Sequence, residues 1–537
     1  MCNGLFGSGP LVLAVLAFGT VAIATSRSAP ARDDHEREGT NFGPGCAPER
    51  PAIPHHAGGV TVQTPRGKEH KPPIPCATKT GFRTSEVSIA VTNSGTILFQ
   101  PVLADQTGTP IGILSSADRG GNWGFVAPSG PLTRTRATDM NIWVDRQTGR
   151  VFWSSELGPP VGGGTPRVDH SDDNGKTWVP SATLPMPFDH TQVFTGSPPA
   201  SLKRRLQEYP NVVYAVVSGG FTCVLDTPPF CGTHITKSLD GGLTFGPAVA
   251  LPFPAECPVP GVNPTGGYGL NGVVDRDGTL FLPFTPCERP YVAISHDAGD
   301  TWQLALVADI MTIGWGELGL GMDKAGNLYA AWVKFEDRLP YLAISRDHGL
   351  HWSAPLMIGA PGVIEAAVPQ LVAGARGQVA VTYYGSKNAP LPFTPPCTGP
   401  SLSCPGFEHE TWDTYITESF NALADRPLFW SASLNDPALP TWYGVTPSSI
   451  RTPAGFNGAS GPGTGGTSGG GRLDYYGMTM APDDTPWVGF GQACPFGPPV
   501  AGNPNCPSTL TGTGPDSLWG FVGRLVSAKE REDEHED

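Results

Sequence analysis

From about residue 77 onward the chain is a succession of short apolar runs, each broken after a few positions by Gly, Asn or Asp. Val87 to Phe99 around Gly95, Asn141 to Trp153 around Gly149, Gly272 to Phe284 around Gly278 and Leu320 to Trp332 around Gly326 each read as strand, turn, strand. A second pattern follows each pair. It reads Ser-x-Asp-x-Gly-x-x-Trp/Phe and occurs at Ser116–Trp123, Ser171–Trp178, Ser238–Phe245, Ser295–Trp302 and Ser345–Trp352. The starts lie 55, 67, 57 and 50 residues apart, and turn glycine to motif serine spans 21, 22, 17 and 19 residues. Five copies of one pattern at comparable spacing mark a repeat architecture. One unit is two strands, a connection, a third strand leading into the motif, then a fourth: a four-stranded antiparallel meander.

Two further units lack the motif. Leu371 to Tyr384 around Gly377 continues to Thr414–Ser419, and Met478 to Phe490 continues to Leu518–Val526. The third unit is irregular, with an insert at Gly196–Gln207 ahead of Val212–Val217. The sum is an all-β propeller of seven blades, with six the alternative count. Pro453 to Arg472, nearly all Gly, Ser, Thr, Pro and Ala, reads as a loop within it, because strand signal resumes afterwards.

Composition agrees. The 70 Gly and 58 Pro, 128 of 537 residues, would interrupt any helix, while 13 Trp, 24 Phe and 12 Tyr argue against disorder. The formal net charge of −14 leaves no basic surface for nucleic acid. Part of that charge is a solvated acidic tail at residues 528–537. Leu11 to Ala24 is apolar but short for a membrane span, and Ala22-Ile23-Ala24 offers a cleavage site, so residues 1–24 read as a secretory signal peptide. The segment before it carries no Lys or Arg, which leaves an uncleaved anchor as the alternative. Residues 25–76, rich in Pro, His and charge, read as a linker ahead of a propeller at 77–527. Ten of the 11 cysteines follow the signal segment and suit an oxidising compartment, pairing in sequence order as 46–76, 223–231, 257–287, 397–404 and 494–506. No CxxC or Cys/His spacing suggests zinc, and no metal or cofactor is expected.

The Ser-x-Asp-x-Gly-x-x-Trp motif resembles the Asp-box, or bacterial neuraminidase repeat, of sialidase-like β-propellers, over residues of about 80 to 527. The resemblance implies that the box is the hairpin between a blade's outer strands, and its chemistry says the same. Asp118, Asp173, Asp240, Asp297 and Asp347 can accept turn amides, the glycines permit positive φ, and the aromatic packs into the blade. These five aspartates are therefore structural. His296 and His348 read as exposed turn residues.

Candidate chemistry lies about ten residues before each turn glycine, where Glu86, Asp139, Asp189 with His190, Glu317, Glu365, and Asp474 with Tyr475 recur. Six of seven units thus place a carboxylate near one rim, as an acidic funnel or as acid/base groups in a concave pocket. Sialidases are implied to need a Tyr nucleophile with a Glu base, an Asp acid/base, and arginines on the substrate carboxylate. The matching candidates are Tyr475 as nucleophile, Glu317 or Glu365 as its base, Asp139 as acid/base, and Arg83 and Arg472 as carboxylate contacts. Arg134 and Arg136 lie near the second unit's start, and Phe82-Arg83 continues as Thr84-Ser85 where the family carries Ile-Pro. The resulting expectation is a secreted monomer that binds an extracellular carbohydrate or glycoconjugate, and hydrolyses it as an exo-sialidase would. The alternatives are a non-catalytic binding or scaffold propeller, and hydrolysis of a neutral polysaccharide by Glu317 and Glu365.

Overall fold

Each strand–turn–strand unit closes as an antiparallel hairpin, with Val87–Val91 on Ile97–Pro101, Asn141–Val144 on Val151–Leu157, and Gly319–Met322 on Leu328–Val333. The computed structural model describes residues 45–63, 71–84, 87–101, 112–126, 141–157, 165–185, 191–219, 232–254, 271–312, 318–388, 411–443, 477–493 and 518–526. Among these the hairpins assemble into seven sheets, the blades of a seven-bladed β-propeller with no α-helix. The expected seven-blade count therefore stands. Blades 1, 3, 4 and 5 are four-stranded meanders (87–126, 192–250, 273–306 and 319–357), and blade 2 has three strands (141–171) edged by isolated bridges to Val179 and Thr183.

The five repeated motifs sit at the end of each third strand. In Ser116–Trp123, Asp118 Oδ1 accepts from Asn122 N and from Ser116 Oγ, both at 2.8 Å, and Ser116 Oγ accepts Gly120 N at 2.8 Å. Trp123 Nε1 donates to Gly120 O at 3.1 Å. The carboxylate and serine bonds recur around Asp173, Asp240, Asp297 and Asp347, and the indole bond recurs at Trp178, whose Nε1 donates to Gly175 O at 3.0 Å. The amide and side chain of Asn122 and the Ser116 hydroxyl hold the Asp118 carboxyl down at about 2. Gly120 has φ +90°, and a Cβ there would meet Thr78 Oγ1 at 2.3 Å, so the turn needs glycine for its backbone and for its neighbour.

Blades stack face to face, which buries the middle strands on both sides. Leu328–Val333 and Val212–Val217 are buried throughout, so these strands read as continuous apolar runs. Between blades 7 and 1, Ile89, Phe99, Val488, Phe490 and Val522 share one cluster. Burying each such side chain stabilises by about 1.5–3 kcal/mol.

Two stretches depart from expectation. The ring closes through Ile74–Thr84, which pairs with Leu518–Val526 as the outermost strand of blade 7, alongside Gly477–Met480 and Pro486–Ala493. The segment read as a linker is partly built into the ring. Ile53–His56 pairs with Phe429–Ser433 and extends blade 6, whose other main strands are Glu365–Ala373, Val379–Ser386 and Thr411–Ser419. His55 is fully buried, bonds Ser431 Oγ through Nε2 at 2.8 Å and stacks on Phe429, and His56 Nδ1 bonds Pro427 O at 2.8 Å. Packing therefore occupies this His pair. Cys46–Cys76 is a disulfide, as the sequence-order pairing expects, and Cys287 is disulfide-bonded to a cysteine outside the described residues. The signal segment 1–24, most of the linker and the tail 528–537 also lie outside them.

Candidate functional site

An antiparallel meander puts its first and third turns on one face and its second connection, with the link to the next blade, on the other. The first face holds the inner hairpin turns and the repeated Ser/Asp/Gly turns; we call it the hairpin face. The second is the connection face. The inner strands of all seven blades enclose a central cavity of about 390 Å³.

Its described wall is mixed, apolar strand residues alternating with polar side chains that include Ser88, Asn141, Gln192, Asn271 and Gln370. Two of these are committed to joining blades. Ser88 Oγ accepts Ile142 N at 2.9 Å, and Asn141 Oδ1 accepts Val193 N at 3.2 Å. Gln370 Nε2 and Asn271 Oδ1 are buried with no hydrogen-bond partner among the described residues. Arg146 is the one charged residue among the described residues of the wall, and it belongs to the hairpin face. It donates to Val91 O at 2.6 Å and to Met480 O, and so ties blades 1, 2 and 7 together. Lys324 reaches from blade 5 to Asp484 of blade 7 at 2.7 Å on the same face. Cross-links thus draw the hairpin end of the channel together.

The topology distributes the sequence-predicted residues as follows. Glu86, Asp139, Asp189, His190, Glu317, Arg472, Asp474 and Tyr475 lie outside the described residues. In sequence each falls between the outer strand of one blade and the inner strand of the next. Arg83 pairs with Trp519 near the end of the closing strand of blade 7, three residues before the link's Glu86. Glu365 opens the inner strand of blade 6 and is fully buried. A bulge follows it, with Val368 at φ +55°, and the channel wall takes up the strand only from Gln370. Glu365 is therefore not part of the described channel wall.

One group escaped the sequence reading. Glu288 lies on the connection face, in the turn between the second and third strands of blade 4. Cys287 and Glu288 both have left-handed backbones, at φ +55° and +58°, a conformation costly for side-chain-bearing residues and common where geometry is enforced for function. Thr312 N and Oγ1 donate to Glu288 O at 2.8 and 3.1 Å, which docks the turn against the start of the link that carries Glu317. The Glu288 carboxyl is half-buried, and this burial pushes it up to about 7, where a group both gives and takes protons at neutral pH. Sequence offset from the turn glycines could not find it, because it stands on a different connection of the blade. Arg338, on the matching connection of blade 5, also has a left-handed backbone, at φ +60°.

No family model matches the chain, and no curated protein matches it. Among solved structures it is similar to a protein of unknown function from Dyadobacter fermentans (13% identity, 90% of this chain and 100% of that one, TM-score 0.39). It is also similar to the NanB sialidase of Streptococcus pneumoniae (11%, 84% and 70%, 0.38) and to an alpha-L-arabinofuranosidase of Fusarium graminearum (11%, 66% and 96%, 0.38). At these identities and scores the likeness assigns this chain neither a substrate nor a reaction.

Proposed function

We propose that the chain is a secreted Asp-box propeller of the sialidase-like kind that takes an extracellular glycan at the connection-face mouth of its central channel. The observation that carries this reading is the cavity of about 390 Å³, enclosed by the inner strands of all seven blades and lined in part by the polar residues Ser88, Asn141, Gln192, Asn271 and Gln370. Sugar hydroxyls both donate to and accept from side chains of this kind. The disulfide-bonded state of Cys46, Cys76 and Cys287 supports an oxidising compartment.

For hydrolysis, the chemistry assigned to the connection face is that of a sialoside. Arg83 and Arg472 hold the substrate carboxylate, Tyr475 attacks the anomeric carbon as Glu317 takes the phenolic proton, and Asp139 protonates the departing oxygen. A phenol titrates near pH 10, so the attack at neutral pH requires that adjacent base. The complete burial of Glu365 favours Glu317 for this role. The test is cleavage of a fluorogenic sialoside, with Tyr475→Phe lowering kcat by about 10² or more and Tyr476→Phe, its neighbour in sequence, changing it far less. Wild-type protein inert on sialosides across a broad pH range removes the hydrolase reading. A non-catalytic glycan-binding propeller is the second reading, favoured by the lack of any carboxylate in the described channel wall. Glycan-array binding without cleavage would establish it.

A further inference from the structure

Blade 3 departs from the blade repeat by an insert between its first two strands, where the other blades make tight hairpins. The insert folds back on the ring. Leu202 is buried, Gln207 N donates to Leu239 O at 2.9 Å, and the insert's Pro198–Pro199 segment packs on the blade 4 turn so closely that a Cβ on Gly278 would meet Pro199 N at 2.3 Å. Beneath it lies a second cavity, of about 550 Å³, on the hairpin face. It is lined in part by Gln147 of blade 2, Lys203, Glu208, Tyr209 and Asn211 of the insert and its end, and Arg276 of blade 4.

The floor is rigid. Tyr209 donates its hydroxyl to Asp145 Oδ2, Asn211 Nδ2 donates to the same oxygen at 2.8 Å, and the Arg150 guanidinium lies 4.7 Å from the Tyr209 ring. Arg150 is itself fixed by a two-pronged pair with Asp172 at 2.7 and 2.8 Å. The rim is not similarly satisfied. Lys203, Arg204 and Arg205 are consecutive, exposed and in no ion pair among the described residues, in a chain of formal net charge −14. Among the described residues Arg276 bonds a backbone carbonyl, Lys324 O, at 3.1 Å. Glu208 is exposed, with a left-handed backbone at φ +55° and no such pair either.

We propose that this cavity is a second glycan site, for a sugar unit bearing a carboxylate or sulfate. Lys203 and Arg276 take the anionic group. Gln147, Asn211 and Glu208 take hydroxyls, and Arg204 and Arg205 extend the basic rim for the next units of the polymer. The site lies on the face opposite the channel mouth, so it anchors a polysaccharide independently of whatever the connection face does with its ligand.

The test is titration calorimetry of the full chain against polygalacturonate, dextran sulfate, neutral dextran and poly-glutamate. Binding of either anionic polysaccharide, weakened by salt and absent for neutral dextran, is expected; the first two arms distinguish carboxylate from sulfate as the recognised group. Lys203→Ala and Arg276→Ala should each weaken that binding about ten-fold or more, while Arg426→Ala, an exposed cation on blade 6, leaves it unchanged. All three side chains are exposed, and Lys203→Gln repeats the charge loss with the stem retained. Failure of both anionic polysaccharides to bind overturns the proposal, as does equal affinity for poly-glutamate or an equal loss in Arg426→Ala. Tyr475→Phe should keep this binding in full, which separates the outcome from that of the hydrolase reading.

Discussion

Replacing Cys46 and Cys76 together with Ser opens the one cross-link that both ends of its loop place at the ring's seam. The bridge spans 30 residues. The chain-entropy model assigns a loop of that length about 3.5 kcal/mol of stabilisation, by restricting the unfolded chain. The backbone bonds beside it, Ala47 N to Pro75 O and Ala77 N to Gly45 O, both at 3.0 Å, do not involve the sulfurs and should persist in the variant. The loss should therefore be the loop entropy with little added strain. Unfolding entropy scales at about 2.1 cal/mol/K per residue, so for a ring of about 450 residues melting as a unit the double variant should melt about 4 °C lower. Differential scanning calorimetry at fixed pH measures it, with mild reduction of the wild type as a second route to the same state. A shift below about 1 °C refutes the entropic reasoning. A drop beyond about 10 °C refutes it from the other side, because it means the bridge is required for closure itself.

Asp297→Ala should cost roughly 1–2 kcal/mol, as loss of a capping carboxylate does, since Asp297 accepts Thr301 N at 2.8 Å, Asp300 N at 3.1 Å and two hydroxyls; ligand binding at saturating protein should persist, and a variant that melts normally yet binds nothing sinks the structural assignment. His170 is buried and desolvated, with Arg150 near it, and its pKa falls to about 4. The unfolded chain therefore takes up a proton near pH 6.5 that the folded one refuses until about 4, so stability is lost as pH falls through that window, and His170→Gln should flatten that part of the pH–Tm curve. Non-reducing peptide mapping should find Cys287 joined to Cys257 and five sequence-local bridges in all; a free thiol pair or bound zinc contradicts the pairing.

The strand pairs and turns were legible because each is a local event. The alternation, the turn glycine and the Ser-x-Asp-x-Gly spacing sit within a dozen residues of one another and repeat, so each copy corroborates the others. Ile74–Thr84 and Ile53–His56 were not legible as blade strands, because their partners at Leu518–Val526 and Phe429–Ser433 are hundreds of residues away and leave no local trace. The insert of blade 3 was visible as an irregularity, but its cavity depends on Gln147 and Arg276 from neighbouring blades. Candidate carboxylates were found by a common offset, which reaches the links between blades. Glu288 lacks that offset, and the burial that shifts its acidity is a property of the fold alone.

The seam has a consequence for how the molecule is made. Ile74–Thr84 leaves the ribosome early, whereas its partner strand begins at Leu518. At about 5–20 residues per second the intervening chain takes roughly 20–90 s to synthesise. For that interval the seven-fold ring exists only as an open arc, with a strand at its start whose edge is unsatisfied and available to any other unpaired strand. Completion is a single late event that converts two vulnerable edges into none, and a chain truncated anywhere before Leu518 retains both.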